Sequence, residues 1–264
     1  MLDYPQPVFP PEIEEIIFSL SAQSSVDQNR NLILVAKRVY QWLLPQLYKV
    51  AILNHGIPPA RPKYSRQLLD KHGQHVRHLL YWDPESFDAP DICISLCPNV
   101  VDLALWGLTV RNDSGTLIHQ ILAIRQRLTR LSFDVDLFHS GVTKLPDSTL
   151  VSFISVTHLE LIGSEIALKP EKIKEYFPSV THLAVNGART FFADGILDCW
   201  KDQLKVLILY LEIDQDYVAN DPRIAVMLQD YEFVHHWNEA TKDGQSNVWR
   251  RAEEAVEVNR QSGS

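Results

Sequence analysis

Six short segments of the chain share one spacing of apolar positions: VRHLLYW around Leu79, VVDLALW around Leu103, LTRLSFD around Leu131, VTHLELI around Leu159, VTHLAVN around Leu183 and LKVLILY around Leu207. Their central leucines lie 24, 28, 28, 24 and 24 residues apart. Each has an aliphatic residue three before the leucine and an apolar one two after it: Tyr81, Leu105, Phe133, Leu161, Val185 and Leu209. The leucine and the residue two beyond it share one face of a strand, because side chains alternate with a period of two.

The segments between these strands predict return crossings as helix or turn. SGTLIHQILAIRQR offers Ser114 as a cap and a stripe of Leu117, Ile121, Leu122 and Ile124, while LPDSTLVSFI and KPEKIKEYF each carry a proline near the start. Cys97-Pro98-Asn99 and Phe177-Pro178-Ser179 precede strands, where proline stops a helix without damaging a ladder. Strand, crossover and strand at this period predict an α/β fold with a parallel sheet, in which stacked units bury what no single unit can. The twice-written VTHL then puts valine and leucine of successive units into the same layers. The period is that of leucine-rich repeats, and residues 76–210 resemble the irregular repeats found behind F-box motifs. An ordinary doubly wound α/β domain is the alternative.

The first fifty residues read differently. Pro10 and Pro11 suit a helix start, Glu12, Glu14 and Glu15 favour the positive end of its dipole, and Ile13, Ile16, Ile17 and Leu20 form one apolar stripe. The helical pattern extends to about Leu53, with Asp27 as a cap for a second helix bearing Leu32, Val35 and Val39, broken at Pro45. At the other end, RIAVML predicts a last strand, and YEFVHHWNEATK and NVWRRAEEAVEVNRQ predict two amphipathic helices. Phe233, Trp237, Val248, Trp249, Ala252 and Val256 are expected to close the end of the core. The organisation is therefore a helical unit (1–48), a repeat-like body (49–228) and a helical cap (229–264).

The run Phe9-Pro10-Pro11-Glu12-Ile13, Ile16-Ile17-Phe18, Leu32 and Leu34-Val35-Ala36-Lys37-Arg38 resembles an F-box, particularly the divergent form of mushroom-forming fungi. That resemblance implies docking to the Skp-type adaptor of an SCF-type cullin-RING ubiquitin ligase. Phe9, Pro10, Ile13, Ile17, Leu32, Leu34 and Val35 would form the adaptor interface. A helical unit that only caps the repeat stack is the other possibility.

A net charge of -8 and a pI near 5.7 argue against nucleic acid or anionic lipid as the main partner. Three cysteines, Cys93, Cys97 and Cys199, suit a reducing compartment, cytoplasm or nucleus, better than a disulfide framework. MLDYPQPVFP lacks the pattern of a secretory signal, and the aliphatic run LILVA is far short of the ~20 residues of a membrane helix. Phosphate-loop, HExxH and GxSxG signatures are absent. His72, His75 and His78 with Cys93 and Cys97 make a poor zinc set, because the histidines straddle a helix end at Gly73. Asp134/Asp136 and Asp214/Asp216 read as turn carboxylates rather than the D-x-D pairs of a glycosyltransferase, and His235-His236 as helix-surface histidines. No catalytic residue, metal or cofactor is expected.

What remains is a surface. Three residues after each leucine stand Trp82, Trp106, Asp134, Ile162, Asn186 and Tyr210; just before it stand His78, Asp102, Arg130, His158, His182 and Val206. Both columns should face away from the leucine core. Indoles beside polar groups have the composition of binding hot spots. Trp82, Trp106, Asp102, Arg130, His158, His182 and Tyr210 are therefore expected to hold a protein target on an open face. The alternative is that the tryptophans seal the linker NHGIPPARPKY.

The expected function is that of a ubiquitin-ligase substrate receptor. A non-enzymatic interaction scaffold is second.

Overall fold

The computed structural model describes residues 9–22, 31–54, 66–82, 93–107, 114–146, 151–163, 168–186, 190–211, 221–228, 237, 241 and 248–262. Helices α1 (Pro11–Ala22) and α2 (Lys37–Leu47) come first, followed by strand β1 (Val50–Asn54) and helix α3 (Arg66–His72). Strands β2 (His78–Trp82) and β3 (Asp102–Trp106), helix α4 (Ser114–Ile124), strand β4 (Arg130–Asp134) and helix α5 (Val135–Thr143) follow. Next are β5 (His158–Ile162), α6 (Pro170–Tyr176), β6 (His182–Asn186) and α7 (Thr190–Cys199). β7 (Val206–Leu211), β8 (Ile224–Leu228) and α8 (Val248–Ser262) complete the described elements. The architecture is α/β, with one eight-stranded, all-parallel sheet that runs in chain order from β1 to β8 and does not close on itself.

The six leucines pair in one continuous row, Leu79 with Leu103, then Leu131, Leu159, Leu183 and Leu207. They and the residues two beyond them lie in a single buried cluster with the inner faces of α4, α5, α6 and α7. The aliphatic position three before each leucine, Val76, Val100, Leu128, Val156, Val180 and Leu204, is buried as well. Removing this much apolar surface from water is the main stabilising term of the fold.

The repeated VTHL phrase has a repeated structural job. Thr157 Oγ1 donates to the carbonyl of Thr129 and Thr181 Oγ1 to that of Thr157, at 3.3 and 3.4 Å, so each threonine ties its strand to the one before. Each hydroxyl also lies beside the next histidine's Nδ1, and the His158 and His182 rings stack at 4.3 Å.

Several elements differ from expectation. VAIL from Val50, read as the end of a helical segment, is the first strand of the sheet, because it pairs with β2. Pro45 does not end α2 on the spot; the helix runs two residues further, to Leu47. α5 and α7 were not foreseen. α5 starts directly after β4 with no loop, and a glycine and β-branched residues weaken its helical signal. Its start is set by Asp134, whose carboxylate accepts from the amides of Asp136 and Leu137 at 3.0 and 3.4 Å. Asp134→Ala should lower stability by about 1 kcal/mol, and Asp134→Asn should retain most of it, read from urea midpoints.

The largest correction concerns α8. Its buried residues Trp249, Ala252 and Val256 pack on Ala184, Val206, Ile208 and Ala225, on the sheet face opposite the leucine core. The helix covers that second face instead of closing the end of the first. Leu80, Ala104 and Trp106 form a further buried cluster there, with Trp82, Ile162 and Trp237 packed against it. Trp106 is only 6% exposed, so the expectation that its apolar area lies unused on an open face is overturned. The linker it was weighed against, with Asp27, Asp214, Asp216, Phe233 and His235-His236, lies outside the described residues.

Candidate functional site

Two surfaces stand out, one at each end of the chain. In the N-terminal unit, α1 and α2 share a small core of Ala22, Val39 and Leu43, with Phe18, Leu32 and Trp42 against it. The inward side of α1 carries Glu14, whose carboxylate lies 2.8 Å from the Arg38 guanidinium. The apolar stripe faces outward: Ile13, Ile16, Ile17 and Leu20 are 44%, 54%, 43% and 61% exposed. Leu34 and Val35, in the turn ahead of α2, are exposed too, as are Phe9 and Pro10. An amphipathic helix normally buries its stripe. Here a carboxylate is buried and the isoleucines face solvent.

The second site is a cavity of about 420 Å³ between the sheet and the C-terminal segment. Its floor comes from β3, β4, β5 and β7, which contribute Asp102, Trp106, Arg130, Ser132, Glu160 and Tyr210. Met227 and Leu228 of β8 flank it, and Trp237 with Val248, Trp249 and Arg251 of α8 form the other wall.

A directed hydrogen-bond chain crosses the floor. The Trp106 indole N–H donates to Ser132 Oγ at 2.6 Å, and Ser132 Oγ donates to Glu160 Oε2 at 2.7 Å. An indole nitrogen can only donate, so the serine hydroxyl turns its proton toward the glutamate. The Tyr210 hydroxyl donates to the same carboxyl group. Burial pushes the Glu160 carboxyl up and Asp102 adds to this, against the hydrogen bonds from Ser132 and Tyr210. Burial likewise pushes the Tyr210 hydroxyl well up, with Glu160 adding to it.

The remaining polar groups are tied to each other. Asp102 lies 3.2 Å from His78 Nδ1 and 4.0 Å from Arg130. His182 Nε2 lies 3.0 Å from Glu253 of α8, and Trp249 meets both stacked imidazoles edge-on. Burial, with His182 and Arg130 nearby, pushes His158 down to about 3, so its ring is neutral at neutral pH.

Of the residues expected on the target face, the cavity brings together Asp102, Trp106, Arg130, His158 and Tyr210. Trp82 and His182 are not among its walls. Asp102 and His182 are buried and engaged within the protein instead of reaching outward. Ser132 and Glu160 were missed. They stand one residue after the leucine in a column otherwise made of Leu80, Ala104, Ala184 and Ile208, and that polar break was the available signal. The residues weighed for zinc go separate ways: His72 stacks on Tyr48 at 4.0 Å, His78 bonds Asp102, and Cys97 is buried in the leucine core.

No helix among the described residues is long and apolar enough to cross a membrane. No protein-family model matches the chain, and no curated protein matches its sequence.

Proposed function

We propose that the chain is a substrate receptor of an SCF-type cullin-RING ubiquitin ligase, acting in the cytoplasm or nucleus. α1 and the turn before α2 form an F-box-like unit that docks a Skp-type adaptor. The body is a short leucine-rich-repeat solenoid that holds a protein target at the cavity between the sheet and α8. The chain supplies proximity, and the conjugating enzyme supplies the chemistry.

The observation that carries this reading is the outward stripe of α1. Exposed isoleucine and leucine side chains gathered on one helix, continued by Leu34 and Val35, are the apolar patch that marks a protein interface. A helix serving only to cap the sheet would turn that stripe inward and leave Glu14 in water. The residues matching the F-box pattern, Phe9, Pro10, Ile13, Ile17, Leu34 and Val35, are among those exposed, while Leu32 supports them from the small core. The continuous leucine row, at 24 and 28 residue spacings, supports the repeat reading of the body.

The test is co-expression of the full chain with a Skp-type adaptor. Ile13→Asp with Ile17→Asp should abolish co-purification and leave the thermal midpoint unchanged, because neither side chain belongs to a buried cluster. Equal recovery of the adaptor by the double variant overturns the proposal. Unfolding of the whole chain would assign the stripe to the protein's own packing.

A further inference from the structure

Glu160 is the unusual group of the cavity. It is half-buried, and among the described residues its partners are two hydroxyls, Ser132 and Tyr210, with no cation paired to it. The charge that acts on it is that of Asp102, another carboxylate. A carboxylate removed from water is stabilised by a counter-ion, and this one has none of its own. The two arginines at the cavity do not fill that role. Arg130 faces Asp102, and Arg251, exposed on the first turn of α8, acts on the Tyr210 hydroxyl and is not paired with Glu160. His158 carries no charge at neutral pH, held so by burial.

The walls around this carboxylate are aromatic. Trp106, Tyr210, Trp237 and Trp249 all line the cavity. Indole and phenol rings attract cations through their electron-rich faces, and apolar walls accept methylenes. At about 420 Å³ the cavity falls in the size range of small-ligand sites and exceeds what one water molecule needs.

We propose that this cavity binds an alkylammonium group, presented as a lysine side chain of the bound polypeptide, with Glu160 as counter-ion and the tryptophans and Tyr210 around its methylenes. A phosphate or carboxylate ligand at the Glu160 end would face that carboxylate and Asp102, with Arg130 already turned to Asp102. The net charge of -8 favours a basic partner in the same sense. The proposal deepens the receptor reading and rests on it only for the source of the amine.

The test uses the purified full chain and defined probes: n-butylammonium, its N,N,N-trimethyl analogue, and 1-pentanol as a neutral match for the first. Binding is followed by tryptophan fluorescence and calorimetry. Both cations should bind saturably and the alcohol at least about tenfold more weakly. Glu160→Gln keeps the size of the side chain and one acceptor oxygen while removing the charge, and should weaken the cations about tenfold or more while leaving the alcohol unaffected. Equal binding of cation and alcohol, equal binding by Glu160→Gln, or no saturable binding of either cation to the folded wild type overturns the proposal. The peptide acetyl-Gly-Lys-Gly-amide, compared with its norleucine counterpart, separates the sources. Tighter binding of the lysine peptide than of butylammonium supports a target side chain; butylammonium binding without the peptide overturns that source. Adaptor co-purification is read separately, so failure here leaves the adaptor part of the receptor reading standing.

Discussion

Replacing Gly73 by alanine is expected to lower stability by about 3 kcal/mol, the upper end of the usual overpacking range. Gly73 opens the short turn between α3 and β2 and is buried. An added Cβ would lie 2.2 Å from the carbonyl oxygen of Leu96, 2.9 Å from its carbon and 3.3 Å from Cys97 Sγ. The obstacle is backbone, which cannot rotate aside as a long side chain does. Nor can the two turns part freely: Asn99 Nδ2 donates to the carbonyl of Gln74 at 2.8 Å, and Cys97 is packed in the leucine core. At roughly 2–4 °C per kcal/mol for a domain of this size, the thermal midpoint should drop by roughly 6–12 °C. Gly115→Ala is the control, because its Cβ would make only an ordinary 3.5 Å contact with Lys144 Cβ at the start of α4. That variant should match the wild type or gain up to about 1 kcal/mol. Equal midpoints for the two variants would show that the turns yield.

A second large effect is a loss of stability on acidification from pH 6.5 toward 3. His158 holds its proton less tightly folded than unfolded, since burial and neighbouring positive groups push it from its ordinary 6.5 down to about 3. Between those values the unfolded chain binds a proton that the folded chain refuses, so stability falls as pH falls. The loss is on the order of 4 kcal/mol when the window is crossed completely. His182 and His72, both lowered chiefly by burial, act in the same direction. Glu160 and Asp134, raised chiefly by burial, act oppositely: they favour the fold at low pH, and their contribution is lost as pH rises through their raised values. His158 therefore draws stability down through the whole interval from pH 6.5 to about 3, and the two carboxylates offset part of that loss only between their ordinary values and their raised ones. Urea midpoints across pH 7 to 4 measure it. His158→Gln cannot titrate and should flatten that slope whatever it does to absolute stability; an unchanged slope would assign the acid sensitivity elsewhere.

Much of the body was legible without coordinates. The phrase around each leucine predicts the strand, its buried face and its register with the neighbours, and Leu79 through Leu207 pair as that alignment requires. α4 and α6 follow from an apolar stripe and an N-terminal proline. The strand at Ile224 and the inward residues of α8 are likewise visible from local pattern. These succeed because burial of alternate residues in a strand, or of every third and fourth in a helix, is written into consecutive positions. α5 was missed for the converse reason: its helix depends on a cap from the preceding strand more than on propensity.

The layers are written into consecutive residues: which of them form strands, which strand face carries the leucines, and which N-terminal positions are apolar. Long-range packing is what turns the isoleucines of α1 to solvent while burying Glu14 against Arg38, and what lays α8 over the second face of the sheet. The cavity belongs to that second class. Ser132 stands 28 residues from Glu160 and 26 from Trp106, and Glu253 stands 71 from His182. Alternation along a strand states that two faces exist, but the free energy of covering one of them comes from a segment distant in the chain. A helix with one apolar stripe can satisfy it against any apolar surface of matching shape, and that choice is settled only when all the elements compete for the same contacts.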